Sequence, residues 1–181
     1  MLVDTGDLHD GAGLSDATSP NGLISNAIFQ NIDYDLLTIG NHELYLSDIA
    51  YLTAGTFAKH YGDRYISSNV EIFNNATGQY EPIANKYRYF KTKHGLNIMS
   101  YGLLFDFKGN SNASKVTPAG DVVKQDWFTK SLAKKPIDLF VVIGHNPTNT
   151  SVSSSTMGTI YKAIRAARPD IPIQVFGGTC I

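Results

Sequence analysis

An α/β fold with a largely parallel sheet and a β-rich insertion is what the 181-residue sequence predicts, and three observations carry it. Helix-period and strand-period segments alternate at both ends of the chain. Two apolar runs of strand length, residues 35–39 and 139–143, each stop at a glycine, the pattern of strands buried on both faces. The middle differs: residues 87–92 and 96–101 are rich in aromatic and β-branched side chains and are joined by Lys93-His94-Gly95, which reads as a hairpin.

Taken in order, Leu2-Val3 ends a first strand, closed by Asp4-Thr5-Gly6-Asp7. Residues 8–21, rich in Gly, Asp, Ser and Asn, read as a long functional loop. Pro20-Asn21-Gly22 opens an amphipathic helix through Leu23, Ile24, Ala27, Ile28 and Ile32. The strand at 35–39 follows, then a helix capped by Ser47 or Asp48 with Ile49, Ala50, Leu52, Phe57 and Ala58 inward. Residues 64–67 read as a short strand, and the polar stretch 109–120 as a loop. Residues 121–135 read as one helix facing Val122, Val123, Trp127, Phe128 and Leu132 to the core, stopped by Pro136. After the strand at 139–143 come a helix at 156–168 and a last strand at 171–176, ending at Gly177-Gly178. With no repeat, low-complexity tract or linker, the expectation is a single domain over 1–181.

Composition excludes several function classes. Hydrophobic residues make up 43% and charged residues 17%, which is globular rather than disordered. Net charge is −1 with Lys and Arg scattered, so no basic face exists to bind a nucleic-acid polymer. No apolar run approaches the ~20 residues of a membrane span. One cysteine, Cys180, cannot form a disulfide within the chain and is expected to be incidental. Three N-glycosylation sequons, Asn75-Ala76-Thr77, Asn112-Ala113-Ser114 and Asn149-Thr150-Ser151, lie in loop-like segments and point to the secretory pathway. Against this, Met1-Leu2-Val3-Asp4 enters the fold with no signal-peptide pattern.

Chemistry concentrates where strands end. Open α/β sheets bind ligands beyond the carboxyl ends of their strands. Three such ends carry Asp7, Gly40-Asn41-His42-Glu43, and Gly144-His145. Asp7 can bridge two metal ions, and Asn41 and His145 offer O and N ligands suited to Zn, Mn or Fe. An uncoordinated histidine, His42, is placed to act as general acid or to stabilise the transition state. Metal-assisted phosphoester hydrolysis needs this set of groups. Asp10 could orient one of them or only shape the turn. His9 is expected to be a solvated loop residue, His60 structural, and His94 a turn residue.

At these residues the sequence resembles the calcineurin-like metallophosphoesterases. Gly6-Asp7-Leu8-His9-Asp10, Gly40-Asn41-His42-Glu43 and Gly144-His145 match, in order, the Gly-Asp-x-x-Asp, Gly-Asn-His-Asp/Glu and isolated-His blocks of that superfamily. The surrounding sequence, including Gly102-Leu103-Leu104-Phe105-Asp106-Phe107, is most similar to the fungal branch related to 5′-nucleotidases and 2′,3′-cyclic phosphodiesterases.

The resemblance implies a β-sandwich flanked by helices and a dinuclear site, with Asp7 bridging two divalent metals and Asn41 and His145 binding the second. It implies that His42 contacts the phosphate or protonates the leaving group. Bacterial relatives orient that histidine with an Asp at the position of Tyr45, so here Glu43 or another carboxylate is expected to serve. A small phosphorylated substrate, a nucleotide by family, is implied, with a vacuolar or extracellular location. The Asp-x-His block expected before Asp7 and the Gly-His-x-His block expected after Gly178 are not in the sequence. The expectation is therefore a truncated domain, without its first strand and C-terminal part, holding three ligands of the site. The alternative expectation is a catalytically impaired or inactive fragment.

Overall fold

In the computed structural model the described residues are 1–11 and 13–178; Cys180 lies outside them. The two apolar runs form strands because both of their faces find partners. In chain order the elements are β1 (Val3–Asp4), α1 (Ser25–Phe29), β2 (Leu36–Leu37), α2 (Ser47–Leu52), α3 (Ala58–Tyr61), β3 (Val70–Asn74), β4 (Gln79–Pro82), β5 (Tyr87–Lys91), β6 (Asn97–Gly102), β7 (Ser114–Val116), α4 (Ala119–Val122), α5 (Asp126–Leu132), β8 (Leu139–His145), α6 (Met157–Ala167) and β9 (Ile173–Gly178). A π-helical segment, Thr53–Phe57, joins α2 to α3 without a break.

Two of the sheets form the frame. Strands β1 and β2 pair in parallel, and bridges from Leu37 to Tyr65 and from Ile66 to Asn85 extend the pairing. The other sheet runs β5-β6-β8-β9, with β6, β8 and β9 parallel and β5 antiparallel to β6. Alternation along each strand assigns its two faces. Leu36 and Ile66 pack with Ile98, Val141 and Ile143, so these side chains fill the space between the two sheets. One residue along, Leu37 packs with Phe57, Ala58 and Tyr61 of the helical segment. Met99, Tyr101, Phe140 and Val142 likewise pack with Phe128 and Leu132 of α5 and with Met157, Ile160 and Ile164 of α6. Such period-two burial on both faces turns the sequence pattern into a β-sandwich flanked by helices.

Several expectations change. The 87–101 hairpin is no insertion, because β6 pairs in parallel with β8 inside the frame. The antiparallel unit set apart is a third sheet, β4-β3-β7, and its strand β7 lies inside the 109–120 segment expected as a loop. Residues 121–135 are not one helix: Gln125 takes an extended conformation and separates α4 from α5. Helix α1 is shorter than the apolar pattern implied, and Leu23, Ile24 and Ile28 are exposed.

Candidate active site

Strands β1, β2 and β8 lie side by side or in facing sheets, and their carboxyl ends deliver Asp7, the 40–43 turn and His145 to one place. The close approach rests on two glycines. A Cβ on Gly6 would overlap the backbone of Ile39 and Gly40, and one on Gly40 would overlap the Asp7 carboxylate and N–H. Gly6 also takes φ +84°, and Asp7 and Asp10 follow at φ 68° and 65°. Left-handed backbone is uncommon for a residue with a side chain, although aspartate tolerates it better than most. Two such residues within one turn mark a segment held in place by its surroundings.

Glu43 supplies that hold. It is buried, and its Oε2 accepts the N–H groups of Asp7 at 2.9 Å and Gly40 at 2.7 Å, while Oε1 accepts the Leu8 N–H at 2.6 Å. Burial pushes the Glu43 carboxyl up, and the nearby Asp7 charge adds to that against the three N–H donors. The side chain thus ties the loop after β1 to the loop after β2. Among the described residues its hydrogen bonds run to backbone, so the orienting role expected of Glu43 toward His42 falls elsewhere. The Leu44 N–H to Asn41 carbonyl bond closes a turn in which Glu43 is buried and His42 partly exposed.

The carboxylate that meets His42 is Asp10, whose Oδ2 lies 2.9 Å from His42 Nδ1. On the other side of the ring, His42 Nε2 lies 3.6 Å from Asp7 Oδ2. The same Asp7 oxygen is 2.9 Å from His145 Nε2, and Asp7 Oδ1 accepts the His42 N–H at 3.0 Å. Burial pushes the Asp7 carboxyl up, but the His145 hydrogen bond, the His42 N–H and both imidazoles outweigh it and leave it below the usual range. Asn41 is buried, and its Nδ2 donates to the Tyr45 hydroxyl at 2.8 Å, which leaves Oδ1 as the amide atom able to ligate. The Tyr45 ring meets the His42 ring edge-on at 5.0 Å, so one side chain steadies both residues.

Asp7, His42 and His145 are therefore brought together, with Asn41 next to His42 in the chain and held by Tyr45, and with Asp10 against the His42 ring. Asp10 stands 32 residues from its partner in sequence. Tyr45 carried a readable signal, since Asn41 and Tyr45 are four residues apart. His9 is buried rather than solvated: its ring lies where a Cβ on Gly22 would be, and burial pushes its pKa down. His60 Nε2 donates to the Gln30 carbonyl at 3.1 Å, a structural contact.

The donor set fits a divalent cation. A carboxylate held below its usual pKa, an amide oxygen and an imidazole suit Zn, Mn or Fe. His145 adds an observation of its own, because its buried Nδ1 has no hydrogen-bond partner among the described residues. A buried imidazole nitrogen left unpaired is costly unless something else engages it. Yet no three His, Cys, Asp or Glu side chains among the described residues are disposed to hold a metal by themselves.

Comparison with known proteins follows the same lines. A sequence model of the family described as calcineurin-like phosphoesterase matches residues 1–181. A protein of Arthroderma benhamiae named "Secreted protein" is 57% identical over 98% of this chain and 27% of its own length. A Schizosaccharomyces pombe protein is 41% identical over 98% of this chain and 29% of its own. The crystal structure of a 5′-nucleotidase from Candida albicans superposes with a TM-score of 0.92 at 42% identity, covering 98% of this chain and 33% of that one. The chain thus spans between a quarter and a third of the length of these relatives.

Proposed function

Because the chain belongs to the calcineurin-like phosphoesterase family, we propose that it contributes the active site of a divalent-metal-dependent phosphoester hydrolase. The substrate class we infer is small phosphomonoesters, nucleotides foremost, as the similarity to the Candida 5′-nucleotidase suggests. The observation that carries the reading is the convergence of His145 Nε2 and His42 Nε2 on one oxygen of Asp7, at 2.9 and 3.6 Å.

Asp7, Asn41 and His145 would hold the cation. When bound, divalent ions in such a site neutralise phosphoryl charge and make water a stronger nucleophile at neutral pH. The chain's own groups divide the remaining work. Asp10 fixes the Nδ1 side of His42, so Nε2 is the atom that faces the Asp7 pocket and can give a proton to a leaving oxygen or a hydrogen bond to the phosphate. Glu43 holds the loops so that Asp7 and His42 keep their spacing. Tyr45 holds the Asn41 amide with its oxygen free. The three sequons and the name of the Arthroderma relative support entry into the secretory pathway, with glycosylation to follow.

A second reading, a metallophosphoesterase-like unit with no turnover by itself, is favoured by one observation. Among the described residues the acidic and histidine ligands alone do not make a metal site. Both readings are tested by incubating the purified chain with Mn²⁺ or Zn²⁺ and a generic phosphomonoester, beside Asn41→Ala. Turnover lost in Asn41→Ala is expected. Neither metal uptake nor turnover in the wild type would leave only the second reading.

A further inference from the structure

Strand β4 forms one margin of the sheet β4-β3-β7, and all four of its residues are exposed. One edge pairs with β3; the other has no strand against it among the described residues. An open edge of this kind is a template for pairing with another chain, and proteins usually blunt it with charge, proline or a cover. Here Pro82 ends the strand, while Tyr80 is 39% exposed and the Glu81 carboxylate is engaged by Asn74 and Thr77.

Two of the three sequons stand at one end of this sheet. Asn75 lies in the turn between β3 and β4, and Asn112 precedes β7. Their proximity is fixed by pairing: the Phe73 N–H donates to the Ala113 carbonyl, and the Tyr80 hydroxyl of β4 donates to the Asn112 carbonyl at 2.8 Å. Both asparagines are exposed, and neither side chain has a hydrogen-bond partner among the described residues. Asn149, in the third sequon, differs, since its Oδ1 accepts the Ser151 N–H at 3.0 Å.

We propose that Asn75 and Asn112 carry N-linked oligosaccharides that together cover the open end and outer edge of the β4-β3-β7 sheet. The inference is independent of the phosphoester chemistry and rests on the secretory reading. In the transfer, the amide nitrogen of each asparagine bonds to the anomeric carbon of an oligosaccharide carried on a polyprenyl diphosphate. The bond from that carbon to the diphosphate breaks, the diphosphate leaves with the electron pair, and the nitrogen loses one proton. The hydroxyls at the third sequon positions are engaged in the fold, Thr77 with Glu81 and Ser114 with the Ser111 carbonyl. Transfer therefore takes place on the chain before this sheet closes.

The test secretes the chain from a eukaryotic host behind a cleavable leader and maps its peptides by mass before and after peptide N-glycosidase, which leaves each formerly occupied asparagine as aspartate. Conversion at both Asn75 and Asn112 is expected; a secreted chain in which either stays unmodified overturns the proposal. The doubly substituted N75Q/N112Q chain is expected to leave the cell with an increased aggregate fraction by size exclusion, and N149Q without one. A double variant as monodisperse as wild type overturns the covering role. The secretory reading is tested separately, by fractionating cells that express the natural gene: recovery in the cytosol refutes that reading while leaving site acceptance to the leader-fused chain.

Discussion

Substituting Glu43 tests whether one buried carboxylate fastens the two loops that carry the candidate site. Its three acceptor bonds are short, at 2.9, 2.6 and 2.7 Å, and two of them end on Oε2. Glutamine has one carbonyl oxygen. Placed at the Oε2 position it keeps the Asp7 and Gly40 N–H bonds but sets an NH₂ group 2.6 Å from the Leu8 nitrogen, donor against donor. Leaving one buried N–H unpaired costs about 1–3 kcal/mol. The neutral amide also avoids the desolvation that pushes the Glu43 carboxyl up, so the net loss falls toward the lower end. Alanine strands all three donors, and roughly 3–5 kcal/mol is expected after the loops relax toward water. At ~2–4 °C per kcal/mol for a domain of this size, alanine lowers Tm by about 6–20 °C and glutamine by less. Urea unfolding followed by fluorescence suits the measurement, because the chain has a single tryptophan, Trp127, packed against the sheet that carries β8. If both variants unfold within about 0.5 kcal/mol of wild type, the fastening role is refuted.

Three further outcomes follow from the same geometry. Gly40→Ala drives a methyl group into the Asp7 carboxylate and is expected to cost about 1–3 kcal/mol and to abolish the rise in Tm on adding Mn²⁺; a variant that still gains stability from Mn²⁺ contradicts the crowding argument. His42→Asn is expected to lower kcat by about 10²–10⁴ while leaving the melt nearly unchanged, and unaltered kcat would remove His42 from the proton-transfer role. Asp138 accepts both the N–H and the Nδ2–H of Asn97, which hold its carboxyl below the usual range. Since its folded pKa lies below its unfolded one, its stabilising contribution is complete above the ordinary carboxylate value and disappears as pH falls through the folded value. The stability gap between wild type and Asp138→Asn should therefore be present at neutral pH, narrow below about pH 4 and close further down; a gap independent of pH would be inconsistent with this.

What the sequence disclosed was governed by where side chains end up. Strands β2 and β8 were legible because residues on both faces are apolar and a glycine follows or interrupts each run, as close packing of neighbouring backbone requires. Strand β4 was not, because Gln79, Tyr80, Glu81 and Pro82 are all exposed and no alternation marks the strand. The helix expected over 121–135 failed at Gln125, where apolar spacing continues but the backbone turns extended. In the site, Asp7, Asn41, His42 and His145 stood out as polar residues at strand ends. The role of Glu43 did not: with Tyr45 in place of an orienting Asp it is expected to serve the His42 ring, whereas the turn delivers its carboxylate to three backbone N–H groups, two of them 35 and 36 residues away in sequence. The Asp10–His42 contact depends on the left-handed turn after Gly6, which no local pattern reveals.

The central claim, that Asp7, Asn41 and His145 hold a divalent cation for phosphoester chemistry, is tested most directly by titrating the purified chain with Mn²⁺ in a calorimeter beside Asp7→Asn and His145→Ala. A saturable binding isotherm in the wild type, weakened at least about tenfold in each variant, is the result predicted, about 1.4 kcal/mol or more per lost ligand. Wild-type and variant isotherms that coincide would place any bound metal elsewhere and contradict the account.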